Sequence, residues 1–103
     1  MNDAAYEKLE ALCGDFQRQW IAILRDTLKK HNVSNEVAKS ICGEFSFDLS
    51  MVFDQGEIEY QGNSYRPFVA FTDDAEQQPS FVIEPNGPQF HEYAFGTTKE
   101  AYE

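Results

Sequence analysis

Eight apolar side chains recur at three- and four-residue steps near the start of the chain: Leu9, Leu12, Cys13, Phe16, Trp20, Ile23, Leu24 and Leu28. A strand sends neighbouring side chains to opposite faces, so an apolar register of this period can be buried on one side only by a long amphipathic helix. Glu7, Glu10, Asp15, Arg18, Arg25 and Asp26 occupy the other faces of that helix. Asn2 or Asp3 is placed to cap its start. Lys29, Lys30 and His31 suit the negative end of its dipole, and Asn32 ends it. Gly14 weakens the middle without outweighing the register. With 103 residues in all, there is room for one modest core, and 1–103 reads as a single domain.

Ser34 is a cap for a second element of ambiguous type. Val37, Ile41, Phe45, Leu49 and Val52 fit a helix running to a stop at Gly56, whereas Phe45, Phe47, Leu49, Met51 and Phe53 alternate with polar residues as a strand would. A strand over 44–53 would return through a partner, 57–61, of about half its length, which favours the helix.

From residue 57 the chain reads as extended. Glu57 to Gln61, a Gly62-Asn63 turn and Ser64 to Thr72 form a hairpin, with Pro67 at an edge or bulge. Thr72 to Pro79 is a polar loop, Phe81 to Ile83 a short buried strand, Glu84 to Pro88 a turn, and Gln89 to Phe95 a returning fourth strand. Thr97 with Glu100 has the spacing of a capping box for a last turn of helix. The expected fold is α+β. Two N-terminal helices pack on one face of an antiparallel three- or four-stranded meander, Trp20 is buried between helix and sheet, and a short C-terminal helical turn follows.

Little in the sequence points to chemistry. Cys13 and Cys42 fall about 30 Å and about 13 Å along the two arms of a helical hairpin that turns near residue 33, too far offset for a disulfide, so both read as reduced core thiols. There is no CxxC or HxxxH spacing, His31 and His91 are isolated, and no metal or cofactor is expected. No nucleophile elbow or glycine-rich phosphate loop is present. His91, between Phe90 and Glu92, is the one candidate general base, and a structural histidine beside aromatics is the preferred reading.

Charge is the informative quantity. The chain carries a net −10. Residues 1–40 balance six acidic against six basic groups, whereas residues 41–103 hold twelve acidic groups against Arg66 and Lys99 alone. This sign excludes nucleic acid and anionic membrane surfaces as partners and favours a basic protein. The candidate partner-binding residues are Glu44, Asp48, Asp54, Glu57, Glu59, Tyr60, Asp73, Asp74 and Glu76, with Tyr65, Tyr93 and Phe47 as further aromatic anchors. Glu44 and Asp48, four apart, share a side in either helix or strand. Asp48 is either a partly buried carboxylate satisfied by Arg18, Arg25 or Arg66, or a hot spot for a partner.

A small, single-domain, strongly acidic chain without catalytic machinery resembles, in type and over its whole length, the immunity proteins of bacterial polymorphic and contact-dependent toxins. The resemblance implies a non-catalytic inhibitor that neutralises a basic toxin, above all a nuclease, whose phosphate-holding site it fills with carboxylates. Two alternatives stand beside it: an acidic chaperone of secreted effectors, and a small-ligand-binding module or small enzyme around His91. No apolar run reaches membrane-spanning length, and MNDAAYEKLE has neither the basic nor the apolar part of a signal peptide, so a cytoplasmic location is expected.

Overall fold

The computed structural model describes residues 3–73, the backbone of 81–82, and residues 89–103. Helix α1 spans Asp3–Lys30 and α2 spans Asn35–Gln55. The connection between them follows from local chemistry. Asn32 takes φ 60°, and the Val33 N–H returns to the Leu28 carbonyl at 3.1 Å, closing the last turn of α1 as a Schellman motif does. The Ser34 hydroxyl then accepts the Val37 N–H at 3.3 Å and starts α2. At the far end the Gly56 N–H bonds the Val52 carbonyl, and a side chain at Gly56 would bring its Cβ within 2.5 Å of that oxygen. The helical reading of 44–53 and the stop at Gly56 are therefore both found.

Beyond Gly56 helix and strand are divided otherwise than the sequence predicts. Strands β1, Ile58–Tyr60, and β2, Asn63–Tyr65, pair antiparallel with Tyr60 opposite Asn63. The turn is thus Gln61-Gly62, one residue earlier than expected, with φ of 51° and 83° as a two-residue primed turn requires. Strands β3, Ala70–Phe71, and β4, Phe81–Val82, form a separate antiparallel pair. Instead of one meander there are two short ladders, because Pro67 cannot donate to a continuing strand. The fold is mixed α+β and dominated by helix. The expected loop over Thr72 to Pro79 and the turn over Glu84 to Pro88 lie, from residue 74 and as a whole respectively, outside the described residues.

The returning strand over 89–95 is instead a single 3-10 turn, Phe90–Glu92, followed by helix α3, Ala94–Ala101. Thr97 lies inside α3 rather than at its cap. Its hydroxyl reaches Gln17 Oε1 at 2.6 Å and its N–H serves the Tyr93 carbonyl. The two long helices consequently pack mainly against each other, the 3-10 turn and α3, and β3 joins them through Phe71, whose ring lies edge-on to Phe16 at 6.2 Å.

The core is small and partly polar. Leu9, Cys13, Gln17 and Ile21 form the buried line of α1, and Ala38, Cys42, Gly43, Ser46, Ser50 and Asp54 that of α2. Gln17 stands at the centre, where Nε2 donates to the Phe90 carbonyl at 2.9 Å and to Ser50 Oγ at 3.2 Å. One amide thus joins α1 to α2, the 3-10 turn and α3. Trp20 packs against Phe16, Phe53 and Phe90 between the helices and the 3-10 turn, half-buried, and its Nε1 donates to Ser46 Oγ at 3.1 Å. Both cysteines are free and buried, with Cys42 Sγ 3.5 Å from the Tyr102 hydroxyl. Among the described residues every buried side-chain polar atom has a partner.

Candidate partner-binding site

The acidic residues singled out in the sequence fall into different environments. Glu44 and Asp48 stand exposed one turn apart on α2, and no ion pair among the described residues uses them. The arginines proposed to neutralise Asp48 are engaged elsewhere. Arg18 pairs with Asp15 and Glu100 at 2.9 and 3.1 Å, Arg25 pairs with Asp26 at 3.2 Å, and Arg66 donates to the Asp54 carbonyl. Glu57, Glu59 and Tyr60 are exposed around β1, and Asp73 is exposed beyond β3. Asp74 and Glu76 lie outside the described residues.

Asp54 is not a surface acid. It is 3% exposed, and its two oxygens accept the Phe90 N–H at 3.0 Å and the His91 N–H at 2.9 Å, while Oδ2 also meets His91 Nδ1 at 2.6 Å. The first N–H groups of a helical run lack partners within the run, and Gln89, at the position before it, supplies no side-chain cap. Asp54 provides that cap from the end of another helix. A carboxylate committed three times over is a fastener of the fold and is closed to a partner. His91 sits in the Asp–His arrangement that orients a general base, yet the same carboxylate carries the backbone N–H groups, and the Phe47 ring lies edge-on to the imidazole at 6.0 Å. Phe47 also stacks on Phe95 at 5.6 Å, so it is a packing residue rather than a free anchor.

A groove of about 410 Å³ between α1 and α3 is lined by Glu7, Glu10, Arg18, Glu92, Tyr93 and Glu100 among others. Four of these groups already serve one another in two pairs. Tyr93 donates to Glu10 at 3.0 Å, and burial together with that carboxylate holds the phenol well above its ordinary range. Arg18 closes on Glu100.

The feature that sequence reasoning missed is the outer face of α2. Val37, Ile41, Phe45, Leu49 and Val52 read as a core-facing stripe, whereas Val37, Phe45 and Val52 are 52%, 48% and 44% exposed and Ile41 and Leu49 are only half-buried. Val37, Ile41, Phe45 and Val52 fall with Glu44 and Asp48 within about 100° of helical arc. The opposite arc holds the small residues Ala38, Cys42, Ser46 and Ser50, which let α1 and α3 approach closely. α3 lies against the helices where Phe95 covers Gly43, Tyr102 meets Cys42 and Arg25 donates to the Ala101 carbonyl, on the far side of α2 from the stripe. Ile23 of α1 is likewise 67% exposed. The missed signal was the period-four line of small residues, an alternative inner face for the same helix. Among the described residues no helix is long and apolar enough to cross a membrane. No protein-family model, no curated protein and no solved structure matches the chain.

Proposed function

We propose that this chain is a non-catalytic inhibitory binding protein of the immunity type, which neutralises a basic toxin, above all a nuclease, through its acidic surface. The reading rests chiefly on Glu44 and Asp48, exposed carboxylates outside every ion pair among the described residues, on a chain of net −10. Structural acids are normally spent, as Asp54 is, on donors of their own fold. Acids that are not spent in this way make the surface potential more negative and steer a cation inward. Glu57 and Glu59, with Tyr60 beside them, are further exposed groups of the same sign around β1, and Asp54 is withdrawn from the surface because it is buried.

Replacing Glu44, Asp48 and Glu57 together by lysine tests this reading. Protection of a host expressing the toxin is expected to disappear while the thermal melt stays cooperative, and association of the unaltered protein is expected to slow steeply with salt. If the triple variant still protects, the acidic surface serves solubility alone. A salt-independent association would favour the effector-chaperone reading, which the exposed apolar residues of α2 also suit.

A further inference from the structure

The apolar side chains between and around Glu44 and Asp48 specify the partner more closely than charge does. Resting on the function proposed above, we infer that the outer face of α2 is a docking seam for a cationic amphipathic helix. Val37, Ile41, Phe45 and Val52 would bury its apolar side, and Glu44 and Asp48 would pair with its lysines or arginines.

Three observations carry the inference. First, the seam is long and straight. From Val37 to Val52 it runs about 22 Å along one helix, the length over which a partner helix packs ridge into groove. Second, its charge has one sign, since Glu44 and Asp48 fall within or beside the stripe while Lys39 lies on a different side of α2. Third, the charges are central. Glu44 and Asp48 straddle the midpoint between Val37 and Val52, so a two-fold pairing of two copies of this chain through the seam would crowd four carboxylates around its axis. Like charges so placed repel, which disfavours a second copy and favours a cation-bearing partner. An anionic lipid surface is disfavoured by the same sign. Within the seam the apolar side chains would exclude water around the two carboxylates, raising the worth of each ion pair above that of a free surface pair.

The test uses the full chain with three probes: a Leu/Lys amphipathic peptide of about five helical turns, the same peptide with Glu in place of Lys, and an oligolysine of equal charge. Trp20, the one tryptophan, is half-buried on α1 and serves as reporter beside calorimetry. The Leu/Lys peptide is expected to bind saturably, its Glu counterpart not at all, and oligolysine weakly with loss of binding in salt. Phe45→Ser with Val52→Ser is expected to weaken the Leu/Lys peptide by about tenfold or more. Ile58→Ser on the hairpin, also exposed, is expected to change nothing. If oligolysine binds as tightly as the Leu/Lys peptide, or the seam variant binds the peptide unchanged, the seam is refuted and the acidic-surface function survives. If neither cationic probe binds, both fall. A concentration-dependent dimer in sedimentation that Phe45→Ser with Val52→Ser abolishes would overturn the proposal in favour of a second copy.

Discussion

The two faces of α2 are built the wrong way round for a helix that merely fills a core. The inner face carries Ala38, Cys42, Gly43, Ser46, Ser50 and Asp54, small or polar and all buried, and the outer face carries Val37, Ile41, Phe45 and Val52 at the surface. The inner residues gain stability through close approach and hydrogen bonds. Ser46 accepts from Trp20, Ser50 accepts from Gln17, and Asp54 holds the start of the C-terminal helical run. Val37, Phe45 and Val52 keep about half of their surface in solvent. A helix that turns Phe53 and its hydrogen bonds inward, yet leaves this much apolar surface on its other side, is organised for a contact it does not make by itself.

That comparison can be broken in four ways, taken from the largest effect to the smallest. Asp54→Ala strands the Phe90 and His91 N–H groups in the interior and is expected to cost about 3 kcal/mol in urea unfolding, with Asp54→Asn, which keeps one acceptor, costing about half as much. Gln17→Leu preserves volume but removes the partner of the Phe90 carbonyl and of Thr97, and about 2 kcal/mol is expected by the same measurement.

The third test is pH. Burial and the nearby Asp54 and Glu10 carboxylates push the Cys13 thiol up to about 12 from an ordinary 9.0. Burial and the bond to Cys42 push the Tyr102 phenol up to about 12 from 10.0. Folded values above unfolded ones mean that this stability is whole below about pH 9 and is lost as pH rises from 9 towards 12, because the unfolded chain releases its protons first. Melting temperature is expected to fall over that window, and Cys13→Ala, with nothing to ionise, is expected to flatten part of the slope. Smallest of all, Phe45→Ser and Val52→Ser are each expected to lower the unfolding free energy measured in urea by no more than about 1 kcal/mol. A cost comparable with Gln17→Leu would show that the outer face supports the fold after all.

The parts legible in the sequence are those decided locally. Asn32 and Ser34 end one helix and begin the next by bonds within a few residues, and Gly56 closes α2 in the same way. What was not legible is decided at long range. Residues 89–95 have strand-like composition, but their first N–H groups are claimed by Asp54, far back in the chain, and the run coils. Thr97 has the spacing of a cap, but Gln17 draws its hydroxyl into the core. Asp54, followed by Gln55 and Gly56, has the setting of a turn acid and turns out to be the most enclosed carboxylate among the described residues. Glu44 and Asp48 were legible as neighbours on one side because a spacing of four settles that in any regular structure, but their exposure was not, since the sequence left Asp48 open between a partly buried acid and a surface one. Which side of α2 faced inward was not legible, since apolar periodicity and small-residue periodicity run through the same helix in opposite directions.

The bonds of Gln17 to Phe90 and Thr97 span 73 and 80 residues of sequence. On the ribosome α1 and α2 would therefore emerge and wait, because the groups that seat Gln17 and Asp54 are made after both helices. A nascent hairpin in that interval has the inner face of α2 covered by α1 alone, without residues 90–101, and the outer face left as open as the finished fold leaves it. Early capture by a partner, or by a chaperone that reads apolar helices, would thus compete with closure by α3, and the outcome would depend on the speed of translation through the codons for residues 90–101.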